Sequence, residues 1–287
     1  MTQTISERLY EGYAQTFEAS ELLFEVRTEH QHLQIFETPA LGRVMMLDGI
    51  VQTTEKDEFI YHEMMVHVPL FAHPKPRRVL IIGGGDGGIL REVLKHPEVE
   101  QVTQVEIDQS VIDLCRQYFP NHSQGAFDDP RANIVIADGR EFVAQCQDRF
   151  DVIISDSTDP MGPGEVLFTS DFYADEKRCL NPGGIMVAQN GVPFLQGDEI
   201  TTTWRRLTPL YQDASFYVAP VPTYVGGFMT LAWATDDPAL RRQSAADIAS
   251  RVQAVQRQNP EFRPRYYNED VHVAAFALPN YIRALLN

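Results

Sequence analysis

The chain has 287 residues, 44% of them hydrophobic, and a formal net charge of −16. This length and composition fit one large α/β domain, or a large domain with a small companion. The negative charge argues against nucleic acid or an anionic membrane as a partner and fits attraction of cationic small molecules. No apolar run approaches the roughly 20 residues of a membrane span, and the polar N-terminus does not resemble a signal peptide, so we expect a soluble cytoplasmic protein.

The N-terminal part of the chain is typical of β structure. Residues 22–54 alternate between apolar and polar side chains in short runs, and the pair Asp48-Gly49 indicates a tight turn. We predict a small antiparallel β unit that packs on a larger domain or pairs between subunits. Residues 56–72 then have helical periodicity. His62 and His67 resemble a zinc motif, but a separation of five places their imidazoles about 140° apart around a helix, so no zinc site is predicted.

Residues 79–92, V-L-I-I-G-G-G-D-G-G-I-L-R-E, predict a strand, a tight turn and a helix. The spacing of Gly83, Gly85 and Gly88 matches the turn of dinucleotide-binding folds, where missing Cβ atoms allow ligand and helix to approach. Asp86 lies inside that turn, where a phosphate-binding protein would present bare N–H groups to an anion. The turn therefore favours a cationic ligand over a pyrophosphate.

Strands and helices alternate after the glycine turn, as in a doubly wound parallel sheet. The predicted strands, including a terminal pair, cover residues 101–107, 133–136, 150–155, 184–189, 215–219 and 228–235. Ligands bind at the carboxyl ends of the strands in sheets of this type. Four successive strand ends carry a carboxylate, from Asp86, Glu106, Asp138 and Asp156.

These carboxylates predict a nucleoside site. Glu106 follows the glycine turn by about twenty residues, the spacing at which an acid reaches ribose hydroxyls, and Asp138-Gly139 can accept from an adenine amino group. This pattern fits an enzyme that uses nicotinamide or one that uses S-adenosylmethionine or a relative, and Asp86 favours the second. Asp156 and Asp159 need a counter-charge. No Cys or His is near in sequence to support a transition metal, Mg²⁺ would lack phosphate partners, and a polyamine is the simplest cation.

Several motifs together resemble the spermidine synthases, the polyamine aminopropyltransferases. They are the glycine turn, Y-H-E-M at Tyr61, V-E-I-D at Val105, D-S-T-D-P-x-G-P at Asp156, N-P-G-G at Asn181 and P-T-Y-x-G-G at Pro222. The resemblance runs from about Gln31 to the Phe276 segment. It implies a Rossmann-like, methyltransferase-type doubly wound sheet behind a small N-terminal antiparallel β domain, which we divide into residues 1–60 and 61–287.

The resemblance also implies an activity and a site. The activity is transfer of an aminopropyl group from decarboxylated S-adenosylmethionine to putrescine, which gives spermidine and methylthioadenosine, with no tightly bound cofactor and no metal. Asp156 would accept the proton and Asp86 would hold the aminopropyl ammonium. The methylthioadenosine part would contact Gln31, Glu106, Asp138, Gly139 and Pro163. The diamine side would contact Gln52, Tyr61, His62, Asp86, Asp156, Asp159 and Tyr224. His62 stands where other members have Gln, and a homodimer or homotetramer is expected.

Other functions remain open at this point. The alternative is a methyltransferase that uses intact S-adenosylmethionine, followed by a nicotinamide dehydrogenase and a non-catalytic polyamine-binding protein. The sequence does not decide between putrescine, cadaverine and agmatine. An ordinary Asp near pKa 4 and an alkylammonium near 10 differ by roughly 8 kcal/mol. We therefore hypothesise that the sulfonium and desolvation lower the pKa of the amine, while Asp156 orients the amine and takes its proton.

Overall fold

A computed structural model of the chain describes residues 3–28, 30–157 and 166–286. Two small antiparallel sheets are followed by a seven-stranded sheet. The strands in the described ranges are β1 (Gln3–Tyr10), β2 (Tyr13–Ala19), β3 (Glu21–Arg27), β4 (His32–Thr38), β5 (Gly42–Leu47), β6 (Ile50–Thr54), β7 (Arg78–Gly83), β8 (Gln101–Glu106), β9 (Ala132–Ile136), β10 (Phe150–Asp156), β11 (Leu180–Gln189), β12 (Asp213–Ala219) and β13 (Met229–Thr235).

The described helices connect these strands and complete the C-terminal end. They are α1 (Glu58–Ala72), α2 (Gly88–Leu94), α3 (Gln109–Tyr118), α4 (Pro120–Ser123), α5 (Gly139–Gln145), α6 (Ser170–Cys179), α7 (Gly197–Leu207), α8 (Ala245–Gln258), α9 (Glu269–Ala275) and α10 (Asn280–Arg283). In the described ranges, each helix is too short or too polar to cross a membrane.

The N-terminal part forms the predicted antiparallel β unit. Strands β3, β4, β5 and β6 pair in that order, and Asp48 and Gly49 form the tight turn between β5 and β6 with φ of 51° and 82°. The hairpin of β1 and β2 precedes this sheet and was not predicted. Since β6 ends at Thr54 and α1 begins at Glu58, the connection is short; the division into residues 1–60 and 61–287 stays a prediction.

The seven-stranded sheet is the predicted doubly wound sheet, in the order β12-β13-β11-β10-β7-β8-β9. Neighbouring strands from β9 to β11 are parallel, and β13 pairs antiparallel with β11 and β12, as predicted for the terminal pair. The chain moves outward from β7 through β8 to β9 and then returns to β10 on the other side of β7. The carboxyl ends of β7 and β10 therefore border the crevice where the strand order reverses, which is the usual ligand site.

Apolar side chains cover both faces of this sheet. Along β7, Val79 and Ile81 pack in one core with α1 and α2, whereas Leu80 and Ile82 pack in the other with α5 and α6. A strand that is buried on both faces has the continuous apolar sequence seen at residues 79–82. This double cover holds the carboxyl end of β7 in a fixed place.

Helix α1 is buried along most of its length, rather than lying at a surface. Its Glu63, which is 2% exposed, accepts the backbone N–H groups of Arg265, Tyr266 and Tyr267 at 2.7, 2.8 and 2.8 Å. The C-terminal segment is thereby attached to the helix that carries Tyr61 and His62. These two side chains point from α1 toward the carboxyl ends of the strands.

Candidate active site

The glycine turn between β7 and α2 brings two backbones together. Gly83 has a φ of 82°, and a Cβ atom at this position would lie 1.9 Å from the backbone oxygen of Asp156. Gly84, with a φ of 68°, donates its N–H to the same oxygen at 3.2 Å. Only glycine fits at the first position, because a side chain would collide with the end of β10. The turn therefore fixes the place of Asp156 beside it.

One cavity of about 330 Å³ lies above these strand ends. Its wall combines the glycine turn and the ends of β8 and β10 with residues of β5 and β6 from the N-terminal sheet. It includes ten of the residues that the sequence nominated: Gln31, Gln52, Tyr61, His62, Asp86, Glu106, Asp138, Gly139, Asp156 and Tyr224. The two remaining nominated residues, Asp159 and Pro163, lie outside the described residues. The structure thus brings the ten together, while their roles remain to be tested.

At one end of the cavity lies Glu106, at the end of β8. It is 7% exposed, and its Oε1 accepts the backbone N–H of Asp108 at 2.9 Å. Burial raises the pKa of Glu106 to about 7. Gln31 reaches the same region, since its Nε2 donates to Asp108 Oδ2 at 3.3 Å. Burial thus places the pKa of the Glu106 carboxyl near neutral pH.

Asp138 and Gly139 form the next part of this end. Asp138 Oδ1 accepts the N–H groups of Arg140 and Glu141 at 2.8 and 3.1 Å and so caps α5. A Cβ atom on Gly139 would lie 2.6 Å from Ile82 Cγ2, so α5 packs closely on β7. Asp138 and Gly139 therefore form the N-terminus of α5 at the edge of the cavity, and one carboxylate oxygen of Asp138 caps this helix.

Asp86 lines the cavity and lies beside the imidazole ring of His62. Its Oδ1 accepts the N–H of Gly88 at 2.8 Å, and its Oδ2 lies 3.2 Å from His62 Nε2. Burial alone would lower the pKa of His62, but Asp86 and Glu58 outweigh burial and raise that pKa to about 10. Burial likewise opposes ionisation of Asp86, yet the adjacent His62 lowers the pKa of Asp86. Asp86, which was predicted to face a cationic ligand, is therefore half of an ion pair within the protein.

Asp156 ends β10 and is hydrogen bonded to α1. The hydroxyl of Tyr61 donates to Asp156 Oδ1 at 2.6 Å. Burial raises the pKa of Asp156 to about 6; the charge of Asp86 adds to this rise and the Tyr61 hydrogen bond opposes it. Burial and the Asp156 charge raise the pKa of Tyr61 well above its usual value, so this phenol stays a neutral donor. Asp156 is thus a stronger base than an ordinary surface aspartate.

The far end of the cavity joins the two sheets. Tyr224 donates its hydroxyl to the backbone oxygen of Gln52 in β6 at 2.9 Å, and its ring packs edge-on against that of Tyr61 at 5.7 Å. The preceding Thr223 is held by Asp57, whose Oδ2 accepts the Thr223 N–H and hydroxyl at 2.9 and 2.8 Å. The P-T-Y-x-G-G segment is therefore anchored at the start of α1.

The sequence analysis missed two acids in this wall, Glu7 and Asp48, the second of which it placed only in a tight turn. Glu7 of β1 lines the cavity, is only 1% exposed, and accepts from the side chain of Gln15 and from the N–H of Val51. An alternating pattern on both sides of Gly12, which has a φ of 76°, was the available signal for the hairpin. The sequence analysis predicts only a polar N-terminus there.

The described residues that line this site offer neither a metal-binding group nor a basic side chain of lysine or arginine. In the described ranges no three His, Cys, Asp or Glu side chains are grouped as a metal ion requires. His67 does not join His62: its Nδ1 lies 3.0 Å from His96 Nε2 and its Nε2 lies 3.1 Å from Glu92. The described part of the cavity wall contains no arginine or lysine. Its charged side chains are mostly acids.

Fold and site together define the class. A parallel sheet with a glycine turn after its first strand, a buried acid at the end of the second and an aspartate at the switch point is a Rossmann-like α/β protein with acids at its ligand edge.

Comparisons with known proteins narrow this class. Residues 58–244 match the model of the spermine/spermidine synthase domain, and residues 2–55 match that of the spermidine synthase tetramerisation domain. Polyamine aminopropyltransferase 1 of Pseudomonas aeruginosa is 59% identical over 276 residues, which cover 96% of this chain and 95% of that protein. The polyamine aminopropyltransferase of Pseudomonas syringae pv. tomato is 56% identical over 281 residues, covering 98% and 96% of the two chains.

Solved structures agree with these relatives. Spermidine synthase in complex with the transition-state analogue AdoDATO superposes with a TM-score of 0.92 at 40% identity, covering 99% of this chain and 94% of that chain. Spermidine synthase from Thermotoga maritima superposes with a TM-score of 0.91 at 40% identity, with the same coverage. The chain therefore belongs to the spermine/spermidine synthase family, and it is an enzyme of the polyamine aminopropyltransferase class.

Proposed function

We propose that this enzyme transfers the aminopropyl group of decarboxylated S-adenosylmethionine to putrescine, releasing spermidine and methylthioadenosine. The observation that carries this proposal is the arrangement of Asp86 and Asp156 in one cavity, with Tyr61 bound to Asp156. A cationic donor and a diamine both need buried acids, and the cavity supplies them. The AdoDATO complex of the related spermidine synthase supports an adenosyl donor of this kind.

The donor is proposed to lie along the strand ends. Glu106 would accept from the ribose hydroxyls, Gln31 and the Asp138-Gly139 pair would border the adenine, and Asp86 would accept from the aminopropyl ammonium. The described cavity wall offers no arginine or lysine to receive the carboxylate of intact S-adenosylmethionine. This composition favours the decarboxylated donor over the methyltransferase alternative.

The transfer step is a displacement at carbon. The neutral amine of putrescine attacks the CH₂ group that is bonded to the sulfonium; a C–N bond forms, the C–S bond breaks, and its electron pair goes to sulfur as a neutral thioether. The proton of the attacking nitrogen goes to Asp156. Holding the two reactants in line inside one cavity supplies much of the rate.

The raised pKa of Asp156 makes this proton transfer easier than the sequence suggested. An alkylammonium near pKa 10 and an aspartate at about 6 differ by four units, or about 5 kcal/mol. The donor sulfonium and desolvation of the amine would reduce this difference further. Tyr61 would hold the carboxylate of Asp156 toward the amine, because its hydroxyl already occupies one oxygen.

The diamine is proposed to extend past Tyr61 and Tyr224 toward Gln52. His62 borders the same channel through its contact with Asp86. Glu7 lies in the wall of the cavity and offers a second acid, which would suit the distal ammonium of a diamine. We therefore propose putrescine as the acceptor, with contributions from Asp159 and Pro163, which lie outside the described residues.

Assembly and location complete the proposal. The match of residues 2–55 to a tetramerisation domain supports a homo-oligomer, and we propose a homotetramer over a homodimer. The cytoplasm is the proposed location, and no tightly bound cofactor is proposed.

The activity is tested by offering the purified enzyme putrescine with each of two donors. With decarboxylated S-adenosylmethionine we expect spermidine and methylthioadenosine in equal amounts, measured by liquid chromatography and mass spectrometry. With intact S-adenosylmethionine we expect no S-adenosylhomocysteine. Production of S-adenosylhomocysteine would support the methyltransferase alternative, whereas donor binding without any product would support a polyamine-binding protein.

Glu106 predicts a pH dependence of nucleoside binding. Its pKa of about 7 means that the empty site holds a proton on Glu106 below that pH, whereas ribose hydroxyls bind the ionised form. We expect the affinity for methylthioadenosine to fall up to tenfold per pH unit below about pH 7, as measured by calorimetry. Glu106→Gln should bind more weakly at higher pH and lose this slope, while Asp138→Asn should keep it. A Glu106→Gln enzyme with the wild-type slope would exclude Glu106 as the titrating group.

A further inference from the structure

Both nitrogens of the buried His62 ring face carboxylates. His62 Nδ1 lies 2.6 Å from Glu58 Oε2 on the preceding turn of α1, and His62 Nε2 lies 3.2 Å from Asp86 Oδ2. The His62 side chain is 4% exposed, and those of Glu58 and Asp86 are each 10% exposed. An ionised carboxylate only accepts hydrogen bonds, so the ring must donate from both nitrogens. A doubly protonated ring is an imidazolium.

Two further groups surround this contact, and the first of them shares Glu58 Oε2 with His62. From α2, Arg91 binds Glu58 Oε2 at 2.9 Å and the backbone oxygens of Asn121 and His122 at 2.9 and 2.7 Å. From α4, the ring of His122 lies edge-on to His62 at 6.1 Å and bonds Thr53 through Nε2 at 2.9 Å. Burial lowers the pKa of His122, which leaves it neutral.

The remaining neighbours are the reaction residues. Tyr61 packs its ring edge-on to His62 at 5.7 Å, and Asp156 lies beyond it, on the Tyr61 hydroxyl. The charge of His62 lowers the pKa of Asp156, opposing the rise from burial and Asp86. His62 is therefore a cation that lies between Glu58 and Asp86, and its charge lowers the pKa of Asp156.

We propose that Glu58 is a positioning residue that keeps His62 charged across the working pH range. Asp86 is then already paired with the His62 imidazolium when it binds the ammonium of the donor. This inference deepens the proposed function, because it assumes that the ammonium binds at Asp86. Asp86 then holds the ammonium less tightly than an isolated carboxylate would, and its affinity stays constant with pH. Without Glu58, the ring has one carboxylate partner and loses its proton at lower pH.

The charge itself can be tested without ligand. The raised pKa of His62 stabilises the fold fully below about pH 6.5, and this contribution is lost as pH rises through about 10. We expect the difference in free energy of unfolding between wild type and His62→Gln, measured in urea, to decline from about pH 7 to about pH 10. The same difference is then measured between Glu58→Gln and the double variant Glu58→Gln with His62→Gln. It should decline at a lower pH than it does in the wild-type background. If the difference in free energy of unfolding between wild type and His62→Gln did not change with pH, His62 would not be an imidazolium in the folded protein.

The effect on the site is tested with two ligands. We expect the ratio of the dissociation constants of methylthioadenosine and decarboxylated S-adenosylmethionine to be flat in wild type between about pH 7 and about pH 9. In Glu58→Gln it should rise roughly tenfold with pH, as His62 loses its proton and Asp86 becomes an uncompensated anion. Glu106 contacts the part common to both ligands, so its titration cancels in the ratio.

Matched variants separate charge from structure. Glu58→Asp keeps the carboxylate and should restore the flat ratio, and the double variant Glu58→Gln with His62→Gln should also be flat, since no titrating ring remains. A flat ratio in Glu58→Gln, or the same rise in the double variant, would overturn the role of Glu58. Failure of the proposed function is distinguishable, because wild type would then bind decarboxylated S-adenosylmethionine no more tightly than methylthioadenosine and form no product.

Discussion

Replacing Asp156 by asparagine is expected to lower kcat by roughly 10² to 10⁴ while leaving the affinity for the donor within a few-fold of wild type. The amide can still occupy the space beside Gly84 and accept from Tyr61, but it cannot accept the proton of the attacking amine. The measurement is a single-turnover assay with both substrates bound, combined with calorimetry for the donor. Near-normal turnover would exclude Asp156 as the proton acceptor.

Tyr61→Phe is the matched control for this prediction. It removes the 2.6 Å hydrogen bond to Asp156 but keeps the carboxylate. Because that hydrogen bond lowers the pKa of Asp156, its loss should move the acid limb of the kcat/KM profile upward from about pH 6. We expect a smaller loss of turnover than in Asp156→Asn. If both variants lost equal activity, orientation rather than proton transfer would be the main role of Asp156.

Replacing Asp86 by asparagine is expected to weaken binding of decarboxylated S-adenosylmethionine by roughly 10- to 100-fold, and binding of methylthioadenosine much less. The donor has an ammonium group that methylthioadenosine lacks. Asparagine can still accept the N–H of Gly88 at the start of α2, so the turn has the same local partner. It also leaves the charged His62 facing the ammonium with no anion between them.

Calorimetric titration of both ligands measures this difference. Asp113→Asn is a suitable control, because Asp113 is exposed on α3 and its side chain accepts from Gln109. We expect Asp113→Asn to leave both affinities unchanged. Equal losses for donor and methylthioadenosine in Asp86→Asn would mean that Asp86 acts only by shaping the turn.

The sheet and its ligand edge could be predicted from the sequence because their signals are local. The apolar run before Gly83 marks a strand buried on both faces, and the acids Glu106, Asp138 and Asp156 lie at or just after the ends of strands. Parallel strands then bring their carboxyl ends to one edge whatever the details of packing. The antiparallel unit of β3 to β6 was predictable in the same way, from alternation and the Asp48-Gly49 turn.

The pairing of side chains across elements could not be predicted in this way. Asp86 was predicted to face a cationic ligand, and its protein partner His62 was not predicted, because His62 comes from α1, whose docking over the turn has no local signature. Tyr61 was expected to border a channel, and the structure bonds it to Asp156. Both contacts depend on the rotation of one buried helix, which is set by packing on the whole sheet.

The cavity wall is shared between two parts of the chain, and this has an energetic consequence. Tyr224 reaches across to Gln52 in β6, and Arg43 of β5 donates to the backbone oxygen of Tyr118 at 2.5 Å. A ligand that binds only when the N-terminal sheet and the seven-stranded sheet are both in place stabilises the association of the two sheets. At a ligand concentration of a hundred times the dissociation constant, this stabilisation is about 2.7 kcal/mol. Since the N-terminal wall matches a tetramerisation domain, we expect oligomer assembly and substrate occupancy to be thermodynamically linked, so that each favours the other.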